Sequence, residues 1–182
     1  SKGKVAFVGS GMIGSGIAVN CILNGYEAVL QTRRQVEKTN NRMKSMLRIL
    51  VDNKVITQAQ CDEASKLYSV TTSIEEAVTG AFFIQESGPE LLETKRVLFD
   101  QIEEFAAPDA IIASSTSKLL CTDMQKGAKH PERFIIGHPY HPAYLLPLIE
   151  LVAGAETSPE VMAKAKAFYD GIGKETLICK KD

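Results

Sequence analysis

The spacing of hydrophobic residues alternates between two periods along the chain. Val5-Ala6-Phe7-Val8 is an unbroken apolar run, as expected of a strand buried on both faces. A glycine-rich turn follows, and Ile17-Ala18-Val19 then predicts a helix. Tyr26 to Gln31 reads as a second strand, after which Met43, Met46, Leu47, Leu50 and Val51 recur at helical spacing. Thr57 with Gln60, and Ser73 with Glu76, have the spacing of capping boxes. They predict short helices on either side of a strand over Tyr68 to Thr72. Ala81 to Gln85 suits a buried parallel strand that Gly88-Pro89 ends. The next segment predicts a long amphipathic helix, with Leu91, Leu98, Ile102 and Phe105 toward the core and Glu93, Arg96, Asp100 and Glu103 toward water, stopped by Pro108. Ala110 to Ser114, Phe134 to Gly137 and Leu148 to Val152 are further strands. Ser158-Pro159-Glu160 opens the last helix, Gly171 and Gly173 close it, and Leu177-Ile178-Cys179 forms a final short strand. Strands alternating with helices predict an α/β protein with a doubly wound, mostly parallel sheet, helices on both faces and right-handed crossovers. Ligands are expected at the carboxyl ends of its strands.

Composition narrows the function without naming it. The 182 residues are 45% hydrophobic with net charge −1, enough to bury a core, and residues 1–182 are taken as one domain. Basic and acidic residues are interspersed, so no nucleic-acid partner is expected. The cysteines at 21, 61, 121 and 179 are far apart with no C-x-x-C, which argues against a metal site or a disulfide framework and for a reducing, cytoplasmic setting. The longest apolar stretch, Tyr144 to Val152, is interrupted by Pro147 and Glu150, and the N-terminus carries no signal pattern. No membrane partner is expected.

Gly9-Ser10-Gly11-Met12-Ile13-Gly14 has the form G-x-G-x-x-G. The jobs of the glycines are, in order, a tight turn, close backbone approach to a pyrophosphate and close helix-to-strand packing. With a strand before it and a helix after it, the turn is a Rossmann-type dinucleotide fingerprint, and Gly9, Gly11, Met12, Ile13 and Gly14 are candidate cofactor contacts. This fold usually carries an acidic residue about 20 residues on, against the adenosine ribose. Thr32 stands there, followed by Arg33 and Arg34. A guanidinium suits a phosphate, although two arginines could equally begin a solvated helix. The cofactor is therefore NAD(P), with Thr32 and Arg33 at its ribose and the balance toward NADP.

Glu150 lies between Leu148-Ile149 and Leu151-Val152, so a strand there carries a carboxylate into an apolar sheet. An unpaired buried charge is costly. An imidazole is the economical partner, because a carboxylate holding one ring nitrogen leaves the other free to take a proton near neutral pH. His138 is the candidate. A single histidine beside a proline is ordinarily structural, so the pair carries this reading. His130-Pro131-Glu132 reads as an exposed turn, and Arg42, Lys44, Arg48 and Lys118 read as a solvated helix face in preference to contacts with an acyl-carrier phosphate.

Ala113-Ser114-Ser115-Thr116-Ser117, then Gly137-His138-Pro139-Tyr140-His141-Pro142, then Leu148-Ile149-Glu150 resemble the 3-hydroxyacyl-CoA dehydrogenase superfamily. The wording is nearest the branch containing lambda-crystallin (L-gulonate 3-dehydrogenase) and carnitine dehydrogenase. The likeness runs from the glycine turn to Cys179 and rests on the ordered set of motifs. It implies that His138 is a general base, that Glu150 orients it and that Ser117 hydrogen-bonds the substrate oxygen. It also implies that Glu90 and Lys95 lie near the nicotinamide ribose. His141 occupies a substrate-positioning place where asparagine is usual, and its imidazole is bulkier and ionisable.

The implied activity is NAD(P)-dependent oxidation of the 3-hydroxy group of a 3-hydroxyacyl-CoA or a free 3-hydroxy acid to the 3-keto product. The wording inclines toward the free acid. The resemblance further implies a place in fatty acid metabolism and a homodimer of the full-length protein. It also implies a C-terminal helical dimerisation domain that is absent from this chain, which is therefore expected to be a fragment. A non-catalytic nucleotide-binding or crystallin-like structural module is the rival, and the His138 and Glu150 pair argues against it.

Overall fold

The computed structural model describes residues 1–179. In chain order the elements are β1 (Lys4–Val8), α1 (Met12–Leu23), β2 (Glu27–Gln31), α2 (Val36–Asp52), α3 (Gln58–Ser65), β3 (Tyr68–Thr71), α4 (Ile74–Val78) and β4 (Phe83–Glu86). There follow α5 (Leu92–Phe105), β5 (Ile111–Ser114), α6 (Cys121–Gln125), β6 (Phe134–Pro139), β7 (Leu148–Ala153), α7 (Pro159–Gly171) and β8 (Glu175–Cys179). The strands form one eight-stranded sheet in the order β3-β2-β1-β4-β5-β6-β7-β8. Every neighbouring pair is parallel except β6 with β7. The expected doubly wound, mostly parallel architecture is present.

Each face of the sheet has its own core. Val5, Phe7, Leu30, Phe83, Ala113, Ile135 and Leu151 point toward α1, α2, α3 and α7. Ala6, Val8, Ile84, Ile112 and Ile136 point toward α4, α5 and α6. Central strands buried on both sides account for the continuous apolar runs in the sequence. The capping box at Thr57 forms in full, with Gln60 N donating to Thr57 Oγ1 at 3.1 Å and Thr57 N to Gln60 Oε1 at 2.8 Å. At Ser73 only half forms. Glu76 N donates to Ser73 Oγ at 3.1 Å, while the Glu76 carboxylate accepts instead from Thr71 Oγ1.

The facing of α5 differs from expectation. Lys95, Phe99, Ile102 and Glu103 are its buried residues, while Leu91 is 64% and Phe105 36% exposed. Glu103, expected in water, pairs with buried Arg133 at 3.1 Å and accepts from the backbone N–H groups of Lys129 and His130. Lys95 is fully buried against Glu86. Two charges that find partners from other elements rotate the buried stripe relative to the one that apolar residues alone define.

Candidate active site

The turn after β1 is built by exclusion. Gly9 has φ +94°, and a Cβ there would lie 2.7 Å from the Ser87 backbone. A Cβ on Gly14 would collide with the Gly9 carbonyl oxygen. Around Gly11, by contrast, nothing lies within 4 Å of an added Cβ. Gly11 is the N-cap of α1 and no side chain caps that end. The first N–H groups of the helix thus remain available to an anion. Ser10 ties the turn to α2. Its hydroxyl is hydrogen-bonded to Thr39 at 2.9 Å, and its carbonyl accepts from Arg42 Nη1 at 2.6 Å. Arg42 therefore bridges to the glycine turn and does not lie on a solvated helix face, as the sequence suggested. The open backbone at Gly11 and the uncapped helix end fit a dinucleotide pyrophosphate.

One crevice is lined by Gly11, Met12, Ile13, Gly14, Ser87, Glu90, Ser115 and His141. A neighbouring cleft runs from Gly9 and Gly11 to Thr32, Arg33, Arg34 and Arg42. The fold thus brings the candidate cofactor contacts of the glycine turn and of β2 to adjoining hollows and sets Glu90 and His141 beside them. Thr32 Oγ1 accepts from Gln35 N at 3.3 Å.

Behind Glu90 lies a polar network whose centre, Glu86, the sequence reading missed. Glu86 ends β4 and is fully buried. Its carboxylate accepts from Ser114 Oγ at 2.6 Å, from Gly88 N at 2.6 Å and from Lys95 Nζ at 2.7 Å. Lys95 also donates to the Gly88 carbonyl at 3.1 Å and lies 3.7 Å from Glu90. Thr116 Oγ1 donates to the other side of Glu90 at 2.7 Å. Lys95 thus acts from within the protein, on Glu86 and Glu90. The available signal was a glutamate closing an apolar run, followed by a lysine on the inner face of the next helix. A second buried chain, from Tyr169 through Gln85 to Ser115 and the Gly137 carbonyl, ties α7 to the ends of β4, β5 and β6.

His138 and Glu150 face each other directly across the antiparallel β6 and β7 pair, and directly opposed residues project to the same side. Both are half-buried. Among the described residues, the hydrogen bond on the Glu150 carboxylate comes from the hydroxyl of Tyr140, and none reaches the His138 ring. The Tyr140 ring lies edge-on to His138 at 5.6 Å. The partner expected for Glu150 was an imidazole and the one present is a phenol. Tyr140 lies two residues beyond His138 on the same face, and a half-exposed carboxylate needs no cation to be tolerated. Glu150 pushes the Tyr140 phenol above its usual range, mainly through this hydrogen bond. Ser117 is exposed in the loop after β5, which Thr116 pins by accepting from Lys118 N and Leu119 N. The segment from Tyr140 to Pro147 is held from beneath by buried Lys174, which donates to the carbonyls of Ala143 and Leu146.

Residues 4–182 match the family model described as 3-hydroxyacyl-CoA dehydrogenase, NAD binding domain. The chain belongs to that family. Its similarity extends to L-carnitine dehydrogenases. It is 36% identical over 187 residues to that of Oceanobacillus iheyensis, covering 98% of this chain and 58% of the relative. It is 40% identical over 179 residues to that of Pseudomonas putida, covering 97% and 54%. These relatives support the carnitine dehydrogenase branch of the 3-hydroxyacyl-CoA dehydrogenase family, and the chain spans just over half their length. Among solved structures, (S)-3-hydroxybutyryl-CoA dehydrogenase from Ralstonia eutropha superposes with TM-score 0.94 at 27% identity, covering 100% of this chain and 65% of that one. The 3-hydroxybutyryl-CoA dehydrogenase of Escherichia coli K12 gives TM-score 0.91 at 27% identity, covering 97% and 38%.

Proposed function

We propose that this chain is the cofactor-binding and acid–base half of an NAD(P)-dependent oxidoreductase that converts a 3-hydroxy group to a 3-keto group. The observation that carries this reading is the register of β6 against β7. It sets His138 opposite Glu150 at the same sheet edge where the strand-exit loop presents His141 to the glycine crevice.

When bound, the nicotinamide supplies hydride acceptance. The protein supplies orientation, a base and hydrogen bonds. His138 takes the proton of the secondary alcohol, and Glu150 on the facing strand stabilises the imidazolium. Ser117 holds the substrate oxygen and His141 positions the rest of the substrate. Gly9, Gly11, Met12, Ile13 and Gly14 receive the pyrophosphate, and Thr32 and Arg33 the adenosine ribose. Glu90, backed by Lys95, lies by the nicotinamide ribose. Thr32, with no acidic residue in its place and two arginines after it, favours NADP over NAD.

The L-carnitine dehydrogenases among the relatives support a free 3-hydroxy acid as substrate in preference to a CoA thioester. The same reading takes the full-length protein to be a cytoplasmic homodimer. Assays of the full-length protein with carnitine, gulonate and 3-hydroxybutyryl-CoA, each with either cofactor, test the substrate. Turnover with the thioester alone rejects the free-acid reading. His138→Ala should lower kcat by about 10² to 10⁴ with cofactor affinity nearly unchanged, and full retained activity would remove His138 as the base.

A further inference from the structure

Past Gly11 the cofactor crevice opens into a cleft of about 430 Å³ whose far wall includes Thr32, Arg33, Arg34, Gln35 and Arg42. Neither Asp nor Glu is among the described residues that line it. The arginines engaged in ion pairs among the described residues are Arg48, Arg96 and Arg133, and none of the three in the cleft is among them, although Arg33 also borders the hollow that Glu75 and Glu104 line. Arg42 is the least expected of them. It lies one helical turn beyond Thr39, whose hydroxyl is bonded to Ser10, and its own Nη1 donates to the Ser10 carbonyl. The turn that receives the pyrophosphate therefore also fixes this guanidinium, whose remaining N–H groups make no hydrogen bond among the described residues and can serve the cleft.

We propose that Arg33, Arg34 and Arg42 together bind a phosphate monoester on the adenosine ribose, which makes the 2′-phosphorylated dinucleotide the form this chain selects. The inference rests on the cofactor reading above and adds Arg42 as the member that links the phosphate site to the glycine turn. A dianionic phosphate gains charge-assisted, partly bidentate hydrogen bonds from such a set. A bare ribose hydroxyl would leave the cations facing one another without an anion between them, and it would lack the carboxylate that usually receives it. Coenzyme A carries the same chemistry at its ribose 3′ position, so the position of the phosphate identifies the source.

Fluorescence titration of the protein with NADPH and with NADH tests this, with adenosine 2′,5′-bisphosphate and adenosine 3′,5′-bisphosphate as competitors. NADPH should bind tighter by about tenfold or more, the scale of one charge-assisted contact, and the 2′,5′ isomer should be the better competitor. The ratio should fall toward one in the Arg33→Ser/Arg34→Ser double variant and, separately, in Arg42→Met. Arg33 and Arg34 are exposed, so the double variant reads the site even if Arg42→Met loosens α2. Binding of NADH at least as tight as that of NADPH overturns the inference while leaving the cofactor reading standing. Preference for the 3′,5′ isomer reassigns the arginines to coenzyme A and overturns it as well. Failure to bind either dinucleotide removes the cofactor reading and this inference together.

Discussion

A phenol holds the carboxylate that was expected to hold an imidazole. Tyr140, the residue after β6, packs its ring against His138 and donates its hydroxyl to Glu150, the residue paired with His138 across the two strands. That hydrogen bond is the main cause of the raised ionisation of the Tyr140 phenol. Glu150→Gln is therefore predicted to lower the pH at which the Tyr140 phenol ionises, measured by ultraviolet absorbance titration with Tyr140→Phe as the blank. An unchanged titration curve would show that the carboxylate does not hold the phenol. Lys174 makes a different case, because burial pushes its ammonium down to about 8 from the usual 10.5. A lysine held below its unfolded value destabilises the fold while it is charged, and that burden lifts as pH climbs from the lower value toward the higher. Denaturant melts at about pH 7 and about pH 9.5 should show the protein gaining stability relative to Lys174→Met as pH rises. An equal change in both would contradict the assignment. The glycine turn and the His138 and Glu150 spacing were legible from sequence because each is local or tied to a motif. Glu86, Glu103 and Arg42 were not. Their partners lie in other elements, and a charged residue without a visible partner reads as solvated.

Elements were more legible than their facing. The strands and helices fall close to the segments that periodicity marked, since a period of two or of 3.6 is set by backbone geometry alone. The inward face of α5 depends on which charges are neutralised. The Glu103 and Arg133 pair is buried, and removing one member of such a pair strands the other. Arg133→Met is predicted to cost about 3 kcal/mol or more in a urea melt, although Glu103 keeps its two backbone donors. A cost below about 1 kcal/mol, typical of exposed pairs, would mean that those donors suffice. The short helix α6 escaped notice because Cys121 to Gln125 is a single turn with little periodicity to detect. Where a cap is spelled out in sequence the expectation is firm. Thr57→Ala should cost about 1 kcal/mol, measured by thermal unfolding, with Thr57→Ser restoring most of it.

At the scale of the whole molecule, the alternation of strand and helix was enough to anticipate a doubly wound sheet, and the reversal between β6 and β7 was the part that topology alone could supply. That reversal turns the chain back at the sheet's carboxyl edge, so His138 lies on an outgoing strand and Glu150 on a returning one. The intervening Tyr140 to Pro147 segment joins the two strands and is tethered by Lys174. Because facing alternates residue by residue along a strand, a slip by one position in β7 sends Glu150 to the opposite side of the sheet. Deleting one residue within Leu148–Ala153 should therefore abolish turnover far more completely than deleting Leu145 from the loop, as measured by kcat at saturating cofactor. Comparable losses in both would show that turnover does not depend on the register that pairs His138 with Glu150. The connecting segment can therefore lose or gain a residue with the ladder intact, whereas either strand that does so parts His138 from Glu150.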